Sequence, residues 1–231
     1  MSVSAIILNE VLNNVEAWND SLAREHDVDA YYTTSSPLIR WIEQRRLACI
    51  RRLANAYPGR RLLEIGCGGG HVLRMFPQCE LTGVDVSGEM LAKARRNLGD
   101  LPARLIKGEV HEAGLADATF DVIICTEVLE HVVDPQRLLR EARRLLAPGG
   151  RLVVTFPNDR LIERIKRWII AMRLARLPIL GRISWGAERF HLHRWSVRQM
   201  RALLSEVFTI QQTRMVPSRC LPIRCCFAVA C

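Results

Sequence analysis

The sequence predicts an α/β fold: a seven-stranded, mostly parallel sheet with helices on both faces and an antiparallel hairpin at its C-terminal end. Three observations predict it. Short apolar runs alternate with helical patterns, as in strands joined by helical crossovers. A glycine-rich turn follows the first run directly, and only the last two runs are joined by a link too short for a helix. With 231 residues, 49% of them hydrophobic, the chain can fill one such domain.

Taken in order, residues 1–59 read as a largely helical N-terminal cap and 60–231 as the main domain. The strands expected are Arg61–Ile65, Leu81–Asp85, Ala103–Lys107, Phe120–Cys125, Arg151–Phe156, Phe208–Met215 and Arg224–Ala230. Each is a short apolar run, the form taken by strands covered on both faces. Helices are expected over Gly70–Phe76, Ser87–Leu98, Asp134–Leu146 and Ser196–Val207. Ser87 and Asp134 are N-cap residues whose side-chain oxygens can accept first-turn N–H groups. Pro135 suits the first turn, and Gly149–Gly150 follows the stop. Val216–Pro222 is the short proline-containing link that makes the last two strands a hairpin.

Composition narrows the setting. "MSVSAIILNE" lacks the basic and apolar regions of a signal peptide, and no run of about 18 uncharged apolar residues occurs, so a cytoplasmic protein is expected. Eight cysteines show no CxxC spacing, and several fall inside apolar runs, which predicts reduced core thiols.

The stretch "LLEIGCGGGHVL", residues 62–73, carries the first chemistry. Glycines between a strand and a helix remove side chains where a ligand must touch backbone, and they aim amide N–H groups at it. A dinucleotide site usually has G-x-G-x-x-G, whereas Gly66-Cys67-Gly68-Gly69-Gly70-His71 puts a histidine where the last glycine belongs. Further along come "LTGVDVSGEML", with Asp85 19 residues after Gly66, then "KGEV", "FDVIICTEVLEHV" and "LLAPGGRLVVTFPN". These stretches, in this order, resemble the class I S-adenosylmethionine-dependent methyltransferases, of the methyltransferase type 11 or ubiquinone-type O-methyltransferase kind.

That resemblance implies a Rossmann-like domain with S-adenosylmethionine (SAM) as cofactor. It sets Glu64, Gly66, Cys67 and Gly68 against the methionine part. Asp85 takes the two ribose hydroxyls, Val86 and Met90 pack on the adenine, and Glu109 and Val110 receive its amino group and edge. Thr126 and Glu127 sit where the fourth strand opens toward the methyl group. The sulfonium already activates the methyl, so the protein's part is to align an acceptor with it. For a hydroxyl acceptor His131 is the candidate base, although the same residue could equally cap a turn or line the pocket wall. If a helical turn follows the strand, Glu127, Glu130 and His131 share one face at i, i+3 and i+4. This resembles the ExxEH pattern that some methyltransferases use for a divalent cation, with His191 or His193 as a further ligand; related enzymes carry "LEH" without metal, and no metal is assigned.

Residues 157–195 exceed what the minimal fold requires. Leu161, Ile165, Trp168, Met172, Ala175 and Ile179 recur at helical spacing, while Arg160, Arg164, Lys166, Arg167, Arg173 and Arg176 fall mainly elsewhere, giving a basic amphipathic helix. It reads either as a lid over the site or as a peripheral membrane contact at about 160–180 that gathers a lipid-soluble substrate. A net charge of +9 also permits nucleic acid, but the few aromatic residues form no RNA-reading motif, so no nucleic acid is expected. Tyr31, Tyr32 and Trp41 are candidates for the pocket wall or for ordinary packing.

The expectation is therefore a SAM-dependent methyltransferase acting on a small-molecule, lipid-like acceptor, with O-methylation favoured. A methyltransferase of RNA or protein, and a non-catalytic cofactor-binding or membrane-associated scaffold, are the competing readings. An NAD-linked oxidoreductase is disfavoured by His71.

Overall fold

The computed structural model describes Asp20, residues 35–172 and residues 191–230. Helix α1, Pro37–Ala54, opens behind Ser36, whose hydroxyl accepts the Ile39 N–H at 3.4 Å, with proline at the position where no N–H is needed. There follow β1 (Arg61–Ile65), a 3₁₀ turn (Leu73–Met75), β2 (Glu80–Asp85), α2 (Gly88–Leu98), β3 (Ala103–Lys107) and a second 3₁₀ turn (Val110–Glu112). Then come β4 (Phe120–Thr126), α3 (Pro135–Leu145), β5 (Leu146–Pro157), α4 (Asp159–Ala171), α5 (Val197–Ser205), β6 (Thr209–Pro217) and β7 (Pro222–Ala230). The two expected caps are present, Ser87 accepting from Met90 N–H and Asp134 from Arg137 N–H, and Ser196, the serine that opens the last helix, accepts from Gln199 N–H in a reciprocal capping box.

The seven strands form one sheet in the order β3-β2-β1-β4-β5-β7-β6. The first five pair in parallel, and β7 runs antiparallel to both β5 and β6. The chain leaves β1 toward β2 and β3 on one side and later toward β4 and β5 on the other. That reversal opens a crevice at the carboxyl ends of β1 and β4, where ligands of such sheets bind.

Alternation along the strands explains the unbroken apolar runs. Leu63, Ile123, Val154 and Phe227 face a core closed by α3 and α5, while their neighbours Leu62, Ile124, Val153 and Cys226 face one closed by α1 and α2. Ile50 and Leu53 of α1 are completely buried, each contributing about 1.5–3 kcal/mol, so this helix is part of the domain's own core. Among the described cysteines, all free thiols, Cys67, Cys79, Cys125, Cys225 and Cys226 are buried as expected, whereas Cys220 is exposed.

Several boundaries differ from those read in the sequence. The helix expected over Gly70–Phe76 is only the 3₁₀ turn Leu73–Met75, because Gly68 and Gly70, at φ 47° and 75°, turn the backbone out of the right-handed region. Strand β5 begins at Leu146, ahead of the expected Arg151: Leu146 pairs with Phe120, and a register shift follows before Val122 meets Arg151. Gly150 lies in that irregularity, where an added Cβ would stand 2.8 Å from the Ala147 carbonyl oxygen. The hairpin strands extend further, to Pro217 in β6 and back to Pro222 in β7.

The basic amphipathic pattern is helical through Ala171; its continuation at residues 173–190 lies outside the described residues, as do Tyr31 and Tyr32. Along α4, Ile162 turns into the core, but Trp168, Ile170 and Met172 are 60%, 67% and 58% exposed. No described helix is long and apolar enough to cross a membrane.

Candidate functional site

The crevice is shaped first by the turn after β1. Gly66 and Cys67 both donate their N–H groups to the Val84 carbonyl, at 2.8 and 3.0 Å, which folds the turn across the end of β2. An added Cβ at Gly66 would overlap the Val128 side chain. Cys67 is buried with its sulfur against Gly83, and burial pushes its thiol far above the usual range, so it has only backbone to offer a ligand. The Gly69 carbonyl accepts from Asn97 Nδ2 at 2.9 Å, an anchor on α2 that the sequence did not reveal.

Asp85 closes β2 beside this turn. Its Oδ2 accepts the Gly68 N–H at 2.8 Å and its Oδ1 the Ser87 N–H at 2.9 Å, so the carboxylate is already aimed between turn and helix. Burial raises its pKa even against those two donors. Met90 reaches over Gly68, and the Ser87 hydroxyl donates to Asp20 of the N-terminal segment. Half-buried Val86 lies between them in the chain.

Glu64, 2% exposed, stands at the end of β1. It accepts from the Leu73 N–H and the Thr126 hydroxyl, while its Oε2 has no hydrogen-bond partner among the described residues. Burial above all, and then the charge of Asp85, holds its pKa well above the ordinary carboxylate value. Glu109 stands apart from this group: its carboxyl is 46% exposed and pairs with His111 at 3.2 Å. Its neighbour Val110 is sunk in the core.

Beyond β4 the structure departs from the expected helical face. Glu127 has φ 55°, in the left-handed region, and the chain goes on as a turn through Leu129–His131. Glu127 therefore swings away: its Oε1 accepts the Thr155 hydroxyl at 3.0 Å and its Oε2 lies 3.4 Å from Arg224 Nε. Glu130 and His131 gather instead with His191, their ligand atoms all within 4.8 Å of one another. The His131 and His191 rings meet edge to face at 5.0 Å.

Glu130 is buried, its Oε2 has no hydrogen-bond partner among the described residues, and burial followed by the nearby Glu127 charge raises its pKa. Asp159, also buried, lies 3.1 Å from His191 Nδ1 and orients that ring. His193, the other expected ligand, has its Nε2 3.0 Å from the Val132 carbonyl oxygen and is not part of this group. Asp159 follows the fifth strand in "FPND", a polar break that could have flagged it; nothing in the sequence flagged Arg224.

Two kinds of ligand suit these atoms. The bare turn, the orphaned carboxylate oxygen of Glu64 and the aimed Asp85 suit a molecule with a cationic end and a sugar diol. The Glu130, His131 and His191 set suits a divalent cation or an acidic hydroxyl. A family model described as "Methyltransferase domain" matches residues 63–154. Residues 63–154 thus carry a methyltransferase domain of the class I SAM-dependent kind.

Similar proteins bear on its neighbours. A ubiquinone biosynthesis O-methyltransferase of Vibrio cholerae is 29% identical over 165 residues, covering 69% of this chain and 64% of that protein. One of Pectobacterium carotovorum is 33% identical over 143 residues, covering 59% and 57%. An uncharacterized 37.1 kDa protein in transposon TN4556 of Streptomyces fradiae is 41% identical over 110 residues, covering 45% of this chain and 32% of that one. The chain thus spans 32% to 64% of the length of these relatives.

Among solved structures, the magnesium protoporphyrin IX methyltransferase of Synechocystis PCC 6803 with bound SAH has a TM-score of 0.69 at 17% identity, over 93% of this chain and 97% of that one. The PH0226 protein of Pyrococcus horikoshii scores 0.65 at 19% identity, over 90% and 97%. These two share the fold of the present chain.

Proposed function

We propose that this methyltransferase transfers the methyl group of SAM to a hydroxyl of a small, lipid-soluble acceptor. The observation that carries the hydroxyl reading is the pair of imidazoles, His131 and His191, gathered with Glu130 just past β4. Relatives named as ubiquinone biosynthesis O-methyltransferases support the same reading.

When bound, SAM supplies a methyl already activated on a sulfonium. Glu64 receives the methionine ammonium on its free oxygen, and Gly66, Cys67 and Gly68 present backbone to the methionine part. Asp85 accepts the ribose hydroxyls, Val86 and Met90 flank the adenine, and Glu109 and Val110 meet its amino group and edge. Thr126 and Glu127 bound the methyl end, and His131 takes the acceptor's proton. The exposed Trp168, Ile170 and Met172, with the exposed Arg160, Arg164 and Arg167 on the same helix, support a peripheral lipid contact that delivers the acceptor.

Calorimetric titration with SAM, SAH and NAD separately tests the cofactor; binding of NAD alone would refute it. Transfer from methyl-labelled SAM to a catechol probe then tests the acceptor chemistry, and His131→Ala should slow it by roughly 10²–10⁴-fold. Near-normal turnover by that variant would remove the base. A second reading, a divalent cation on Glu130, His131 and His191, is favoured by their 4.8 Å grouping. It requires that a chelator abolish transfer and that magnesium restore it.

A further inference from the structure

We infer that Arg224 is a positioning residue of this site: shared between Glu43 of α1 and Glu127 at the end of β4, it holds the Glu127 carboxylate in place and ties it to the N-terminal helix. Arg224 Nε lies 3.3 Å from Glu43 Oε1 and 3.4 Å from Glu127 Oε2. On its far side Glu43 is pinned by Arg46 Nε at 2.7 Å, and both of those residues are 4% exposed. Arg46 is in turn near enough to Glu64 to favour its charged form. Acidic and basic side chains alternate along a line: Glu64, Arg46, Glu43, Arg224, Glu127. Its two ends are the carboxylates placed at the ends of β1 and β4, and its middle comes from α1 and β7.

Two features make this line more than a buried ion pair. Glu127 occupies the left-handed region at φ 55° without being glycine, a conformation that persists only where neighbours over-determine it. Those neighbours are the Thr155 carbonyl and hydroxyl, each at 3.0 Å, and Arg224. Thr155 holds the backbone and one oxygen, and among the described residues Arg224 is the cation that meets the second oxygen. The line is also charge-balanced in its middle: without Arg224, Glu43 and Glu127 would lack their shared cation, and the strained peptide would be free to relax and withdraw Glu127 from the methyl end. Arg224 thereby makes α1, which lies on the sheet face, part of the machinery that sets the geometry at the sulfonium.

The inference rests on the reading above that Glu127 faces the methyl end of SAM, and a comparison of two ligands separates the two claims. SAM carries a positive sulfur and SAH a neutral one, so a carboxylate positioned at that sulfur favours SAM. In the full chain, Arg224→Gln should weaken SAM binding by about tenfold, the equivalent of about 1.4 kcal/mol, while SAH affinity stays within about twofold. Glu127→Gln should show the same selective loss. The double variant should lose no more than either single one, because Arg224 acts through Glu127.

Arg224→Lys, which keeps the charge, should recover most of the difference. Glu43→Gln leaves Arg224 in place but frees it from α1; it should give a smaller loss in the same direction, and it serves if Arg224→Gln does not fold. Equal weakening of SAM and SAH by Arg224→Gln, with a lowered Tm, would reduce Arg224 to a structural ion pair and overturn the inference, as would additive effects of the two glutamine variants. A wild-type ratio in Glu43→Gln would overturn the tie to α1. If the wild-type chain binds neither ligand, the cofactor reading itself fails.

Discussion

Asp85→Ala offers the sharpest test of the cofactor side. The carboxylate accepts Gly68 N–H at 2.8 Å and Ser87 N–H at 2.9 Å, and the proposal adds the two ribose hydroxyls. Hydrogen bonds to a charged acceptor contribute about 1.5–3 kcal/mol each, so losing both hydroxyl contacts should weaken SAM by about 3–6 kcal/mol, roughly 10²–10⁴-fold in Kd. Stability should suffer less. Ser87 is 1% exposed, and its abandoned N–H costs about 1–3 kcal/mol, which for a chain of this size lowers Tm by about 2–12 °C. Gly68 is half-buried and can be hydrated, and removing a carboxylate whose burial raises its pKa offsets part of the loss. Calorimetry with SAM beside a thermal melt separates the two effects. A folded variant, with Tm inside that range, that still binds SAM with wild-type affinity would refute the ribose assignment.

Three further outcomes are expected. Glu64 is held well above the usual carboxylate pKa by burial, and the cofactor's ammonium should lower it. SAM binding should then release a proton and tighten as pH rises between the bound and free pKa values; titrations in buffers of different ionisation heat that find no proton exchange at any pH where the chain is folded would rule this out. Gly66→Ala should place a methyl group on Val128 at a position with φ 68°, lowering stability by about 1–3 kcal/mol and disabling the turn, so wild-type SAM binding by this variant would contradict the cradle. Replacing Arg160, Arg164 and Arg167 by glutamine should weaken sedimentation with anionic vesicles by about 10²-fold, at about 1 kcal/mol per charge. Unchanged sedimentation, or none by the wild type, would discard the lipid contact.

Much of the fold and about half of the site were legible in advance. Strands and caps depend on short unbroken apolar runs and on single residues such as Ser87, Asp134 and Ser196, all of which are local signals. The same holds for Gly66, Gly68 and Asp85, whose positions follow from one turn and one strand end. The helix expected over Gly70–Phe76 failed for an equally local reason, the positive φ of Gly70 and of Gly68 just before it. The face expected from Glu127, Glu130 and His131 assumed a helical turn, and one left-handed residue undid it.

What the sequence by itself determined is what neighbouring residues impose on each other: the α/β alternation, the bare turn after β1, and an acid at the end of β2. Only the tertiary structure decided the partners of the charged groups. His191 meets Asp159 across 32 residues, and Arg224 meets Glu43 across 181. Such pairings follow from strand order, which sets β7 beside β5 and lays α1 against that edge of the sheet. No periodicity or spacing encodes them, because the energy that brings the segments together is apolar burial, and the charges meet where that burial leaves them.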